Sequence, residues 1–196
     1  MSEFKKEVDE ARPGSGRVFF VSCCGRSRPS FGSQIVFWSL MAAGILLDLW
    51  SKKAVFDWLR QRGAGGFAVI NGFLQFVMAE NSGAAFGMAA GQRGLLIAVS
   101  FIALAVIFAV FIFSGSEQKL VQIALGLFAA GVGGNLYDRI FNDGRVRDFI
   151  DVVYWPGRHW PAFNVADSML CVAVALIIIS GFFTEKRHPE RAERRE

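Results

Sequence analysis

The chain has 196 residues, 53% of them hydrophobic and only 19% charged, with a formal net charge of +4. A mean hydropathy of +0.38 is well above what a soluble domain needs for its core, so the composition excludes a water-soluble protein and points to an integral membrane protein. Four spans of about 20 residues each would fill nearly half the chain, which leaves no room for a separate soluble domain.

In chain order, Met1 to Ser30 holds one apolar stretch, Val18-Phe19-Phe20-Val21, far too short for the core of a secretory signal. Residues 1–32 are therefore expected to be a basic cytoplasmic extension. A first span is expected over about 33–52, its last turn carrying Asp48 and Lys52. In the connection that follows, Phe67 to Met78 reads as two short strands around Asn71-Gly72, a strong hairpin signal. Gly94 to Phe113 is an uncharged run that would make a helix about 30 Å long. After the tight connection Ser114 to Lys119, a third span is expected over 120–140, rich in small residues (Ala124, Gly126, Ala129, Ala130, Gly131, Gly133, Gly134) that let helices approach closely. The fourth runs over about 165–183, and 185–196 form a charged cytoplasmic tail. The expected fold is thus an all-α integral membrane protein, a four-helix domain over 33–184 with a small periplasmic β-sheet between helices 1 and 2.

The connections between spans 1 and 2 and between spans 3 and 4 are long, so they share one side of the membrane. Twelve Lys and Arg lie in the N-terminal segment, the short hairpin and the tail, against nine in the two long connections and the span ends that flank them. The excess favours both termini in the cytoplasm and the long connections outside. Tyr154, Trp155 and Trp160 suit the membrane interface on that outer side.

Cysteine and histidine usage excludes other chemistries. Cys23 and Cys24 are adjacent and Cys171 sits inside the fourth span, which is no disulfide framework, and His159 and His188 are far apart, which is no zinc site. Neither a metal nor any other cofactor is expected, and no nucleic-acid partner. His159, beside Arg158 and Trp160, reads as an interfacial residue.

Polar residues at the outer ends of spans remain. Asp48 and Lys52, four apart, share a helical face and read singly as a snorkelling pair. Asn135, Asp138 and Arg139 project to one side of the third span, and Asn164 suits the N-cap of the fourth, three residues before Asp167. An ionised carboxylate in hydrocarbon costs roughly 2.5–3.5 kcal/mol at a helix centre, so Asp148 and Asp167 at the edges of two spans call for a use. Catalysis, cation transport and a scaffold role all stay open on these residues alone. Transport sites usually lie near the bilayer midplane between repeats, and a scaffold leaves the acid pair unexplained.

Taken together, Asn81-Ser82-Gly83-Ala84-Ala85-Phe86-Gly87, Gly134-Asn135-Leu136-Tyr137-Asp138-Arg139, Val146-Arg147-Asp148-Phe149 and Phe163-Asn164-Val165-Ala166-Asp167, with Asp48 and Lys52 before them, closely resemble the lipoprotein signal peptidase family, also called type II signal peptidase. The resemblance covers roughly Ile35 to Phe183, and five ordered motifs make it specific. Asp48-Leu49-Trp50-Ser51-Lys52 departs from the usual Asp-Gln start.

The resemblance implies a four-helix membrane aspartic peptidase of the bacterial inner membrane that removes the signal peptide of diacylglyceryl-modified prolipoproteins, working as a monomer in contact with membrane lipid. It makes Asp148 and Asp167 the catalytic dyad. Two close carboxylates cannot both ionise easily and so share a proton. Around them, Arg139 is expected to hold a loop carbonyl or carboxylate, and Asn81, Gly83, Asn135 and Asn164 to position substrate. Asp138 is expected to pair with Arg139 or a backbone amide, and Asp48 with Lys52 to steady the first span. Asp143 and Asp151 are expected in solvated loops. A lipid-anchored substrate would enter sideways from the bilayer, flanked by Phe67 to Phe86 and Trp155 to Trp160.

Overall fold

The computed structural model describes residues 29–84, 88–113 and 118–185. Cys23, Cys24, the segment Ala85-Phe86-Gly87, most of the expected hairpin Ser114 to Lys119 and nearly all of both termini lie outside them. Among the described residues, four helices are long and apolar enough to cross a membrane: α1 (Phe31–Gln61), α2 (Arg93–Phe113), α3 (Lys119–Phe141) and α4 (Val165–Glu185).

Helix α1 runs nine residues beyond the expected end at Lys52, because its buried stripe of Phe37, Gly44, Asp48, Ser51 and Lys52 continues through Phe56 and Leu59. The helix stops only where Gly63 takes a positive φ of 62°. Gly63 N–H bonds Arg60 C=O at 3.0 Å and Ala64 N–H bonds Leu59 C=O at 3.2 Å, the two bonds of a Schellman motif. At the other end Ser30 accepts from Ser33 N–H at 3.3 Å and caps the first turn.

Helix α3 is the hub, as its small residues led one to expect. A Cβ on Gly131 would lie 2.7 Å from the Ala166 carbonyl oxygen of α4, and one on Gly126 would lie 3.1 Å from the Phe37 carbonyl of α1. From α1, a Cβ on Gly44 would meet the Ala130 methyl at 2.6 Å. With backbones this near, van der Waals contact and interhelical hydrogen bonds supply the cohesion that apolar burial cannot supply in lipid. Phe37, Ile107, Phe111, Leu125 and Ala129 fill the seam of α1, α2 and α3, and Ala130, Ala166 and Met169 that of α3 and α4. The outward face of α2 carries Leu95, Val99, Phe101, Ile102 and Val106, all more than half exposed, as a lipid-facing helix requires.

The sheet is larger than expected and comes from two connections. β1 (Gly66–Ile70) and β2 (Leu74–Asn81) follow α1, while β3 (Val146–Trp155) and β4 (Arg158–His159) lie between α3 and α4, in the antiparallel order β1-β2-β3-β4. The expectation of a sheet from the first connection alone missed β3, whose charged residues Arg147, Asp148 and Asp151 break the apolar alternation that marks a strand. The Asn71-Gly72 turn forms with positive φ at Gly72 alone, 73°, and Phe73 N–H bonds Ile70 C=O at 3.0 Å, a type II turn. Beyond β3, Phe163 C=O accepts from Phe149 and Ile150 N–H at 3.1 and 2.8 Å, which ties the entry of α4 to the strand.

Replacing Gly131 by Leu puts side-chain atoms into the α3–α4 contact and should cost about 1–3 kcal/mol. Gly181→Leu, where nothing lies within 4 Å of a new Cβ, should leave the melting temperature in detergent unchanged. Equal melting temperatures for the two variants would show that the close approach is not what holds these helices.

Candidate active site

All the polar clusters singled out in the sequence meet where the C-terminal part of α3, the start of α4 and the strand β3 come together. Helix α4 begins with a reciprocal cap: Asn164 Oδ1 accepts from Asp167 N–H at 3.0 Å, and Asp167 Oδ2 accepts from Asn164 N–H at 3.1 Å. This capping box satisfies the helix N-terminus and locks the Asp167 rotamer. Asn164 was expected as the N-cap, and it is.

The fully buried Asn164 amide also donates to Asp148 Oδ1 at 2.6 Å and to Asn135 Oδ1 at 3.1 Å. Asn135 Nδ2 in turn donates to Asp167 Oδ1 at 2.8 Å. One asparagine thus touches both acids, and a second steadies the network from α3. Asp148 is 3% exposed, whereas Asp167 is only half-buried. Burial pushes the Asp148 carboxyl up to about 7; the charge of Asp167 acts in the same direction, while hydrogen bonds from Asn164 and Asn81 and the charge of Lys52 pull it down.

Behind the acids lies a buried ion cluster. Lys52 Nζ is 2.7 Å from Asp48 Oδ2, 3.3 Å from Asp138 Oδ2 and 3.0 Å from Asn135 Oδ1, with the Lys52, Asp48 and Asp138 side chains wholly inaccessible. The snorkelling reading of Asp48 and Lys52 is therefore wrong: the pair points into the protein, because α3 and α4 supply partners there that water would otherwise have to supply. Asp48 Oδ1 accepts from Ala166 N–H at 2.8 Å, so the pair steadies α4 as well as α1.

Asp138 does not bind Arg139. Its partner is Arg147, whose Nη2 and Nε reach Asp138 Oδ1 at 2.6 and 3.2 Å and whose backbone N–H reaches Oδ2 at 3.0 Å. The backbone-amide half of the expectation holds, and the side-chain half fails because Arg139, one residue further round the helix, turns to the 81–84 loop. There Arg139 Nη2 donates to Gly83 C=O at 3.0 Å, the expected loop carbonyl. Asn81 Oδ1 accepts from Gly83 N–H at 2.9 Å, which shapes that loop.

Asp143 sits exposed in the turn after α3, with φ of 49°. Asp151 is not a solvated loop residue: it lies on β3, 6% exposed, and accepts from Gln75 Nε2 at 2.5 Å, with His159 Nδ1 2.8 Å away. Sequence reasoning missed both this group and Arg147. Placing β3 as a strand paired with β2 would have set Asp151 opposite Gln75.

Residues 40–183 match the family model described as signal peptidase (SPase) II. A lipoprotein signal peptidase of Rhodopirellula baltica is 36% identical over 166 residues, covering 75% of this chain and 71% of that protein. One from Neisseria gonorrhoeae is 34% identical over 161 residues, covering 80% and 95%. Among solved structures, a bacterial membrane enzyme determined by the in meso method matches with a TM-score of 0.69 and 29% identity, over 85% of this chain and 97% of that one.

Lys52→Met should leave the buried Asp48 carboxylate without a cation, Asp138 keeping Arg147, and destabilise the fold by roughly 3–5 kcal/mol. Lys53→Met, which breaks only an exposed pair with Asp57, should leave unfolding in detergent unchanged. Indistinguishable unfolding curves would mean the cluster contributes nothing.

Proposed function

The chain belongs to the signal peptidase II family, and from that premise we propose that it cuts diacylglyceryl-modified prolipoproteins before the modified cysteine, with Asp148 and Asp167 as a water-activating dyad. The family makes it a multi-pass bacterial membrane protease that processes lipoproteins. What carries the finer reading is Asn164, which bonds Asp148 and Asp167 at once and so holds the two acids toward one point.

Charge balance supports a shared proton. The acids Asp48, Asp138, Asp148 and Asp167 face the cations Lys52, Arg139 and Arg147, so one proton brings the buried cluster to neutrality. That proton resides on Asp148, the more buried acid, and Asp148 donates it toward the scissile carbonyl oxygen. Asp167, with more access to solvent, takes a proton from the attacking water as its oxygen bonds to the carbonyl carbon. Collapse of the tetrahedral intermediate breaks the C–N bond, the proton on Asp167 passes to the leaving amine of the cysteine, and the proton lent to the carbonyl oxygen returns to Asp148. The carboxylates hold these positions without rearrangement because Asn135 and Asn164 are fixed by Lys52 and by the cap of α4. Arg139 braces the 81–84 loop, and Asn81 and Gly83 line it for substrate contact.

The excess of Lys and Arg in the terminal segments and the short hairpin supports cytoplasmic termini. The sheet and the dyad then lie at the outer, periplasmic surface, where a lipid-anchored substrate arrives from the side.

Asp148→Asn and Asp167→Asn should each lower the release of signal peptide from a diacylated prolipoprotein by roughly 10²- to 10⁴-fold, with membrane insertion retained. Full activity in either variant would sink the dyad.

The pH dependence has a defined sign. Since Asp148 must be protonated, kcat should fall as pH rises through about 7. Between its ordinary value of 3.8 and about 7 the folded chain keeps a proton the unfolded chain has released, so stability also falls with rising pH over that window. Asp148→Asn should remove this loss, read as melting temperatures at pH 5 and pH 8; a wild type more stable at pH 8 relative to the variant would contradict it.

A further inference from the structure

Strand β3 is held on both sides within two residues. Arg147 reaches α3 through the fork and backbone bonds to Asp138, and the next residue, Asp148, reaches Asn164 at the head of α4. Pairing with β2 is regular from Asn81↔Val146 to Ala79↔Asp148, slips once, and resumes from Phe76↔Ile150 to Leu74↔Val152. The one irregularity falls just after Asp148, so its carboxyl sits at the end of a regular stretch of ladder. Arg147 adds a hold on α3 immediately before that point, because a planar guanidinium meeting both oxygens of an inaccessible carboxylate permits one orientation, and the bond from its own N–H sets the height of the backbone. Asp138 is itself immobilised by Lys52 at 3.3 Å.

We propose that Arg147 is a positioning residue for the reaction: by clamping β3 onto Asp138 it sets the Asp148 carboxyl in register with Asn164 and Asp167. The proposal rests on the dyad reading given above. Arg147 touches neither substrate nor the reacting atoms and acts through the backbone it shares with Asp148. The guanidinium is 21% exposed, beside a cavity of about 190 Å³ lined by Tyr137, Phe141 and Asn142, so a Met or Lys side chain fits in its place.

The test is steady-state kinetics on a diacylated prolipoprotein for wild type, Arg147→Met, Arg147→Lys and Asp148→Asn, with melting temperatures, and the same Arg147→Met change in an Asp138→Asn background. Arg147→Met should lower kcat on the order of 10- to 100-fold, with KM within twofold of wild type. Arg147→Lys, which restores charge but not the fork, should recover part of the loss. In the Asp138→Asn background the Arg147 change should cost nothing further. A kcat within twofold of wild type in Arg147→Met, a loss that appears in KM, or additive losses in the double variant would overturn the proposal. If Arg147→Met does not fold, Arg147→Lys decides: reduced kcat at an unchanged melting temperature supports the proposal, and unchanged kcat overturns it. Activity in Asp148→Asn would instead defeat the dyad reading beneath it.

Discussion

A lysine ammonium with no access to water is the constraint from which the structure follows. Lys52 sits on a helix whose other faces suit lipid, and an unpaired ammonium there would be prohibitive. Its partners Asp48, Asp138 and Asn135 come from two helices, and each partner has a second obligation elsewhere. Asp48 holds the first turn of α4 through Ala166, Asp138 holds β3 through Arg147, and Asn135 holds Asp167. Three helices and a strand are therefore located by reference to one cation.

Packing and charge are the same requirement at this node. Gly134 lies opposite the Asp48 carboxylate, so closely that any side chain there would displace it. The small residues of α3 thus do more than let apolar helices touch. They bring carboxylates, amides and the ammonium within bonding distance, where a low dielectric strengthens each interaction.

Most of this was legible in the sequence. Hydropathy gave the four spans, because a long uncharged run such as Gly94 to Phe113 has no other economical solution in a membrane protein. The residues of the site were legible too: Asn135, Asp138, Asn164 and Asp167 follow helical spacing at span ends, and Asn164 with Asp167 spells a cap. What stayed hidden was partner choice. Nothing local tells Asp138 to prefer Arg147 over its neighbour Arg139, since that depends on where β3 docks. Likewise Asp151 reads as a loop acid until strand pairing sets Gln75 beside it. The end of α1 was hidden for a related reason: Lys53, Asp57 and Arg60 look like the close of a span, yet they are the solvent side of a helix still burying Phe56 and Leu59.

The capping box at the head of α4 has an evolutionary side. Asp167 is the acid that completes the cap at the third position of this helix, and in the proposed chemistry it is also the group that takes up a proton. Selection for folding and selection for turnover therefore act on one atom pair and cannot be told apart by tolerance to mutation. A descendant of this protein that had lost its activity would still be under pressure to keep Asn164 and Asp167, so their retention alone would not certify a living enzyme.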